Sequence, residues 1–180
     1  MQEKDLFKVP IPTKAYIKKY LEHHYGDPIR FPEESFELKA LKLFLAKPSK
    51  ERDSSNQHGH YPIMMTVMID ERVFIRNGFH LTRTDVYQFN SCLDSMIKRG
   101  FRMYCDAARF AGIDIKDAIL SWMQKHSITE DDISFEALKK YDYRCRLEMT
   151  KKRGIERSIE VPVSRLTKPI LRKFYAPSVL

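Results

Sequence analysis

The sequence lacks any long apolar run. Hydrophobic residues make up 43% of its 180 residues, but charged ones interrupt them throughout. No stretch approaches the roughly 20 apolar residues that a membrane-spanning helix needs. The first twenty residues carry charges where a secretory signal has an apolar core. We therefore expect a cytoplasmic protein that is not inserted in a membrane.

Cysteine and glycine are also scarce, and their placement excludes several kinds of site. Cys92, Cys105 and Cys145 are far apart and form no Cys-x-x-Cys pair, so neither a disulfide framework nor a zinc knuckle is indicated. The six glycines are isolated from one another, so no glycine-rich phosphate loop is present. A Gly-x-Ser-x-Gly elbow is missing too. We predict a protein that is not an enzyme and needs no cofactor.

Two constellations still contain the residue types of a metal site. Asp27 followed by Glu37 and Lys39 has the rough spacing of a metal-dependent nuclease, but the flanking strands are missing and the spacing arises often by chance. His58 and His60 lie in a polar loop without a third ligand nearby. We predict neither a metal site nor a small-molecule substrate.

Positive charge is abundant and lies mostly at one end of the chain. The formal net charge is +8, and residues 135–180 carry twelve Lys or Arg against five Asp or Glu, a net of +7. Just before them, residues 113–134 hold five carboxylates against two lysines. An acidic segment therefore precedes a basic one.

The periodicity predicts an α+β protein that is mostly helical. In residues 1–81 we expect a helix over 14–25 that Gly26 closes, and a second helix over 36–46 that Ser35 caps. The apolar run 61–69 and the segment 72–76 are predicted to form a small β-hairpin. Residues 47–60 are predicted to be a solvated loop.

Residues 82–152 are predicted to form a helical bundle. We expect a helix that begins at a capping box of Thr82 and Asp85 and ends at Gly100, a second that ends at Gly112, a third from Asp114, and a fourth that begins at Thr129 or at Ser134. With Ser127-Ile128-Thr129 as a three-residue turn, the last three helices have the outline of a helix-turn-helix unit. Residues 153–180 are predicted to form a basic tail with an extended segment over 157–163, and the three parts are expected to unfold as one unit.

The basic helix is the strongest candidate for a binding site. Lys140, Tyr143 and Arg144 share one side of a helix at spacings of three and four residues. Cationic side chains beside an aromatic ring neutralise phosphates and contact bases. The predicted nucleic-acid-binding residues are Lys139, Lys140, Tyr143, Arg144, Arg146, Lys151, Lys152, Arg153 and Arg157.

Two functions remain open at this point. The first is a non-catalytic nucleic-acid-binding protein, with duplex DNA favoured as the partner, that acts as a regulator or accessory factor. The second is an interaction or assembly subunit, including a homodimer, that docks through its acidic and basic patches and its tail. Glu130, Asp131 and Asp132 weigh against the first, because carboxylates near the start of the fourth helix repel phosphates.

Overall fold

The computed structural model describes residues 6–47 and 61–159, with side chains as far as Lys151. Two strands and six helices follow one another within these described residues. They are β1 (Leu6–Thr13), α1 (Ala15–Tyr25), α2 (Phe36–Phe44), β2 (Ile63–Asp70), α3 (Glu71–Asn77), α4 (Arg83–Phe110), α5 (Ile115–Lys125) and α6 (Phe135–Ile159). This confirms a mostly helical α+β fold. Within the described ranges, no helix is both long enough and apolar enough to cross a bilayer.

The sheet consists of two antiparallel strands that are distant in sequence. β1 pairs with β2 in a register that joins Leu6 to Asp70 and Thr13 to Ile63. Pro10 and Pro12 have no backbone N–H to donate to a neighbouring strand. They therefore suit β1, which is an edge strand and pairs on one side only. The strand predicted over 61–69 is therefore present as β2 in a small antiparallel sheet, but the sheet is not the predicted hairpin, because the partner of β2 is β1, a strand that was not predicted.

The segment after β2 is a helix, and the predicted second hairpin strand over 72–76 is wrong. α3 begins directly after Asp70, and its Phe74 ring stacks on Phe7 of β1 with the centroids 4.1 Å apart. Phe74 also stacks on Phe79 at 5.2 Å. This ring packing, which depends on a strand some 65 residues earlier in the chain, outweighs the β propensity of the Val-Phe-Ile run.

The two N-terminal helices match their predictions. α1 ends at Tyr25, and Gly26 follows it with a φ of +79°. The hydroxyl of Ser35 accepts a hydrogen bond from the Leu38 backbone N–H, which caps α2. Leu38 and Leu41 of α2 are buried.

α4 is one continuous helix of 28 residues, so the predicted break at Gly100 is wrong. The predicted capping box at its start is present between Thr82 and Asp85. A single interior glycine costs a helix only about 1 kcal/mol. The buried row that flanks it, which includes Leu93, Ile97 and Phe101, outweighs that cost by packing in the core.

The connection between α5 and α6 is nine residues long, from His126 to Ser134. The predicted three-residue turn at 127–129 is therefore wrong, and a helix-turn-helix unit needs a turn of about three or four residues. Of the two predicted starts for the last helix, the one beside Ser134 is confirmed. α6 also continues to Ile159, past the predicted end near 152 and into the predicted extended segment.

The chain divides into two compact units at Lys140, so α6 begins in the first and continues into the second. The core of the first unit lies between the sheet and helices α1 and α4. Asn90 of α4 is buried there, accepts a hydrogen bond from the Thr13 hydroxyl and donates to the Pro12 carbonyl, at 2.6 and 2.9 Å. A buried polar residue thus joins the end of β1 to the long helix. The predicted boundaries at 81 and 152 stay predictions.

Candidate nucleic-acid interface

The start of α6 is capped by side chains of the preceding connection. Ser134 Oγ accepts a hydrogen bond from the Ala137 N–H at 3.2 Å, and Glu130 Oε2 accepts one from the Phe135 N–H at 3.0 Å. These bonds satisfy two of the N–H groups that a helix N-terminus leaves without partners. The local sequence thus explains why the helix begins at Phe135 and not at Thr129.

Beyond Tyr141, α6 is mostly exposed to solvent. From Tyr143 to Lys151 only Cys145 is half-buried, whereas Asp142 just before them is buried. We call the exposed side chains of Tyr143, Arg144, Arg146 and Lys151 the basic face. All four were predicted as binding residues, and all four are accessible to a partner.

Arg146 is the most constrained cation of the basic face. Its Nε lies 3.2 Å from Oδ2 of Asp142, one helical turn earlier, whose side chain is only 2% exposed. Its guanidinium carbon also lies 5.7 Å from the centre of the Tyr143 ring. The structure thus brings Tyr143 and Arg146 together, and the charge of Arg146 is partly balanced by Asp142 of the same helix.

Arg144 makes no ion pair or ring contact with the residues that the structure describes. The same holds for Lys140, which is exposed and is the last residue of the first unit. Lys139 is exposed as well, but its Nζ lies 3.5 Å from Oε1 of Glu136. Lys152, Arg153 and Arg157 belong to the helical backbone of α6, and their side chains lie outside the described ones.

Two of the three carboxylates that precede the basic face, Glu130 and Asp132, are engaged within the protein. We call residues 126–134, with Glu130, Asp131 and Asp132, the acidic connection. Asp132 Oδ2 accepts hydrogen bonds from Lys19 Nζ of α1 at 2.6 Å, from the Thr129 N–H at 2.7 Å and from the Thr129 hydroxyl at 2.9 Å. Asp131 is exposed.

These bonds set the charge state of Asp132. Burial alone raises the pKa of a carboxyl group, but the bonds from Lys19 and Thr129 outweigh it and hold the pKa of Asp132 below its usual value. Asp132 is therefore ionised at neutral pH and links α1 to the acidic connection.

Sequence reasoning missed a cluster of three histidines. His23 and His24, at the end of α1, lie against His126 at the end of α5, with ring centroids 5.0 and 5.3 Å apart. His126 is buried and its Nδ1 lies 2.8 Å from the Trp122 carbonyl oxygen. Burial lowers the pKa of His126, and the nearby imidazoles of His24 and His23 add to that effect. No local spacing connects position 24 to position 126, so only the packing of α1 on α5 could reveal the cluster.

Of the residues weighed as a metal site, Glu37 and Lys39 have other partners, Asp27 is exposed, and the two histidines lie outside the described residues. Glu37 is buried and accepts a hydrogen bond from the Tyr25 hydroxyl at 2.9 Å, while Lys39 pairs with Glu34 at 2.7 Å. His58 and His60 lie outside the described residues. In the ranges that are described, no group of three or more His, Cys, Asp or Glu side chains is placed to hold a metal ion.

Comparison with protein-family models, with curated proteins and with solved structures finds no match for this chain.

Proposed function

We propose that this chain is a non-catalytic nucleic-acid-binding protein that uses the basic face of α6, with duplex DNA as its partner and a regulatory or accessory role. The observation that carries the proposal is the exposure of Tyr143, Arg144 and Lys151 on a stretch of α6 in which, from Tyr143 to Lys151, only Cys145 is half-buried. An α-helix fits the major groove of duplex DNA, and cations on it release counterions from the phosphates.

The position of the acidic residues supports the same proposal. The helix begins at Phe135, so Glu130 and Asp132 precede it and are bound to a backbone N–H and to Lys19. Their repulsion of phosphates is reduced because these charges are already partly balanced. The start of α6 need not enter a groove, since the exposed cations lie further along the helix.

The second candidate, an interaction or assembly subunit, has one observation in its favour. Leu147 and Met149 are exposed on the same stretch, at 44% and 38% of their surface. Exposed apolar side chains among cations also suit contact with another protein. The acidic connection supports this candidate less, because Asp132 is occupied by Lys19.

The test compares two variants of equal charge for binding to a random duplex. One variant carries Lys140→Gln, Arg144→Gln and Lys151→Gln. The control carries Arg99→Gln, Lys116→Gln and Lys125→Gln, three exposed cations on α4 and α5. Both lower the net charge from +8 to +5. Since each phosphate contact contributes roughly a factor of eight at about 0.1 M salt, we expect the first variant to lose at least about tenfold in affinity.

The control variant is expected to stay within about threefold of the unmodified protein, because only long-range attraction changes. Equal losses in the two variants would mean that total charge, and not the basic face, governs binding. Light scattering measures the native mass of each protein. Loss of a homodimer in the first variant, without any change in its DNA affinity, would favour the assembly subunit.

A further inference from the structure

A groove between α2 and α3, in the first unit, carries a second concentration of positive charge. It is open to solvent, has a volume of about 420 Å³, and is lined mainly by Glu33, Lys42, Leu43, Arg72, Val73 and Arg76. Three of these side chains are cations and one is a carboxylate. None of them was singled out by the sequence, because Lys42 and the two arginines are some 30 residues apart.

The two walls of the groove are held together by polar contacts. Asn77 Nδ2 donates a hydrogen bond to the Lys42 carbonyl oxygen at 3.1 Å, which joins the end of α3 to α2. Gly78 follows with a φ of +82°, and a Cβ there would lie 2.3 Å from the Ala46 carbonyl oxygen. Only glycine permits this close approach. The spacing between the walls is thus built into the fold.

The three cations lack carboxylate partners among the described residues. Arg72 and Arg76 are exposed and lie one turn apart on α3, so they face the same way. The nearby carboxylate of Glu34 already pairs with Lys39 at 2.7 Å. The Lys39 ammonium is the main group that lowers the pKa of Glu34, and Lys42 adds a smaller effect from farther away. The carboxylate near Lys42 is therefore that of Glu34, which is already paired with Lys39.

The groove also offers apolar surface. Leu43 is 82% exposed at its edge. A smaller cavity of about 260 Å³ shares Glu33 and Val73 with the groove and is lined further by apolar side chains, among them Phe31 and Leu38, and by the charged Arg30 and Asp70. The cations of the groove itself adjoin the apolar side chains of Leu43 and Val73, an arrangement that suits a ligand with an anionic group attached to a flat, weakly polar one.

We propose that the α2–α3 groove binds phosphate groups of nucleotides, either free or within a nucleic-acid strand. The guanidinium forks of Arg72 and Arg76 match the geometry of phosphate oxygens, and Lys42 adds a point charge from the opposite wall. The base would lie on the apolar side, toward Leu43 and Val73. This proposal rests on residues of the first unit alone and does not depend on the basic face of α6.

The experiment measures binding of two probes to the full chain by calorimetry or fluorescence anisotropy. The probes are ATP and a thymidine single strand of about ten nucleotides, the scale of one single-strand binding site. The groove variant carries Lys42→Gln, Arg72→Gln and Arg76→Gln, and the control is again Arg99→Gln, Lys116→Gln and Lys125→Gln. Both have a net charge of +5. Thermal melting checks that each variant is folded.

We expect the groove variant to lose at least about tenfold in affinity for one or both probes while the control keeps it. Loss for ATP identifies a free nucleotide as the ligand, and loss for the strand alone identifies nucleic acid. A second variant, Arg72→Lys with Arg76→Lys, retains the charge without the fork and is expected to bind with intermediate affinity. If the groove variant fails to fold, the affinity of this second variant still shows whether the guanidinium groups of the groove bind the probe.

The proposal is overturned if neither probe binds, or if the groove variant and the control lose affinity equally. These outcomes are separable from failure of the proposed function. Variants of α6 leave the groove intact, so they test the proposed function alone. The groove proposal is refuted if ATP and the single strand bind the groove variant as tightly as the unmodified protein, even when duplex binding depends on α6.

Discussion

The acidic connection and the basic face that follows it are both charged, yet their charges act differently. In the acidic connection, Asp132 binds Lys19 and Thr129, and Glu130 caps α6. In the basic face, Arg144 has no partner within the described part of the chain, and Lys151 is exposed. Charges that satisfy internal donors stabilise the fold, whereas exposed cations contribute little to stability and remain available to an external anion.

The largest effect on stability should come from Asp132. Asp132→Asn and Asp131→Asn each remove one negative charge, at neighbouring positions. Only Asp132→Asn breaks an ion pair, the one with Lys19, and the side chain of Asp132 is only 7% exposed. After allowance for the partly exposed Lys19, we expect Asp132→Asn to lower the free energy of unfolding by about 1–2 kcal/mol and Asp131→Asn by less than about 0.5 kcal/mol. Urea unfolding measures both. Equal losses would contradict the internal role of Asp132.

The pH dependence of this contribution follows from the lowered pKa of Asp132. A carboxyl whose pKa is lower in the folded state stabilises the protein above its unfolded pKa, about 3.9, and the stabilisation is lost as the pH falls through the folded pKa. The difference between the protein and Asp132→Asn should therefore shrink below about pH 4.

A smaller effect is expected inside the basic face, where Arg146 differs from Arg144. Arg146→Gln removes one partner of the buried Asp142, so we expect a loss of about 1 kcal/mol in the free energy of unfolding, reduced because Arg146 is half exposed. Arg144→Gln should stay within about 0.5 kcal/mol. Thermal or urea unfolding of the two single variants compares them directly. If Arg144→Gln is the more destabilising, the assignment of Arg144 as a cation free for binding is wrong.

The smallest effect concerns His126, which is held neutral by burial. Its pKa is lower in the folded state, so the unfolded chain takes up more protons. Stability should be fully present above the unfolded pKa of about 6.5 and should decline as the pH falls toward the folded pKa. His126→Phe keeps an aromatic ring in the cluster without a titrating nitrogen. Its unfolding free energy should vary less between about pH 7.5 and about pH 5 than that of the unmodified protein.

The elements that could be predicted from the sequence are those with strong local signals. Ser35, Gly26 and the Thr82–Asp85 capping box mark helix ends through bonds within a few residues, and each was confirmed. The errors came from long-range packing. The local sequence of α3 predicts a strand, because the stacking of Phe74 on Phe7 is a contact between distant residues. The local sequence of α4 predicts two helices, because the burial of the residues around Gly100 depends on packing in the core.

The candidate site shows the same division. The spacing of Lys140, Tyr143 and Arg144 predicted that they share one side of a helix, whereas their exposure is seen only in the structure. The roles of the carboxylates were not predicted, because the bond between Lys19 and Asp132 joins residues more than a hundred positions apart. The three-histidine cluster and the α2–α3 groove were missed for the same reason.

The salt dependence of duplex binding tests the central claim most directly. The affinities of the unmodified protein, of Lys140→Gln, Arg144→Gln, Lys151→Gln and of the matched control are measured for a random duplex over a series of salt concentrations. If Lys140 and the cations of the basic face contact phosphates, the slope of log K against log salt falls in magnitude by up to about 2.7 in the first variant, at about 0.9 for each of its three lost contacts, and is unchanged in the control. The same slope in all three proteins would contradict the proposal that α6 binds nucleic acid.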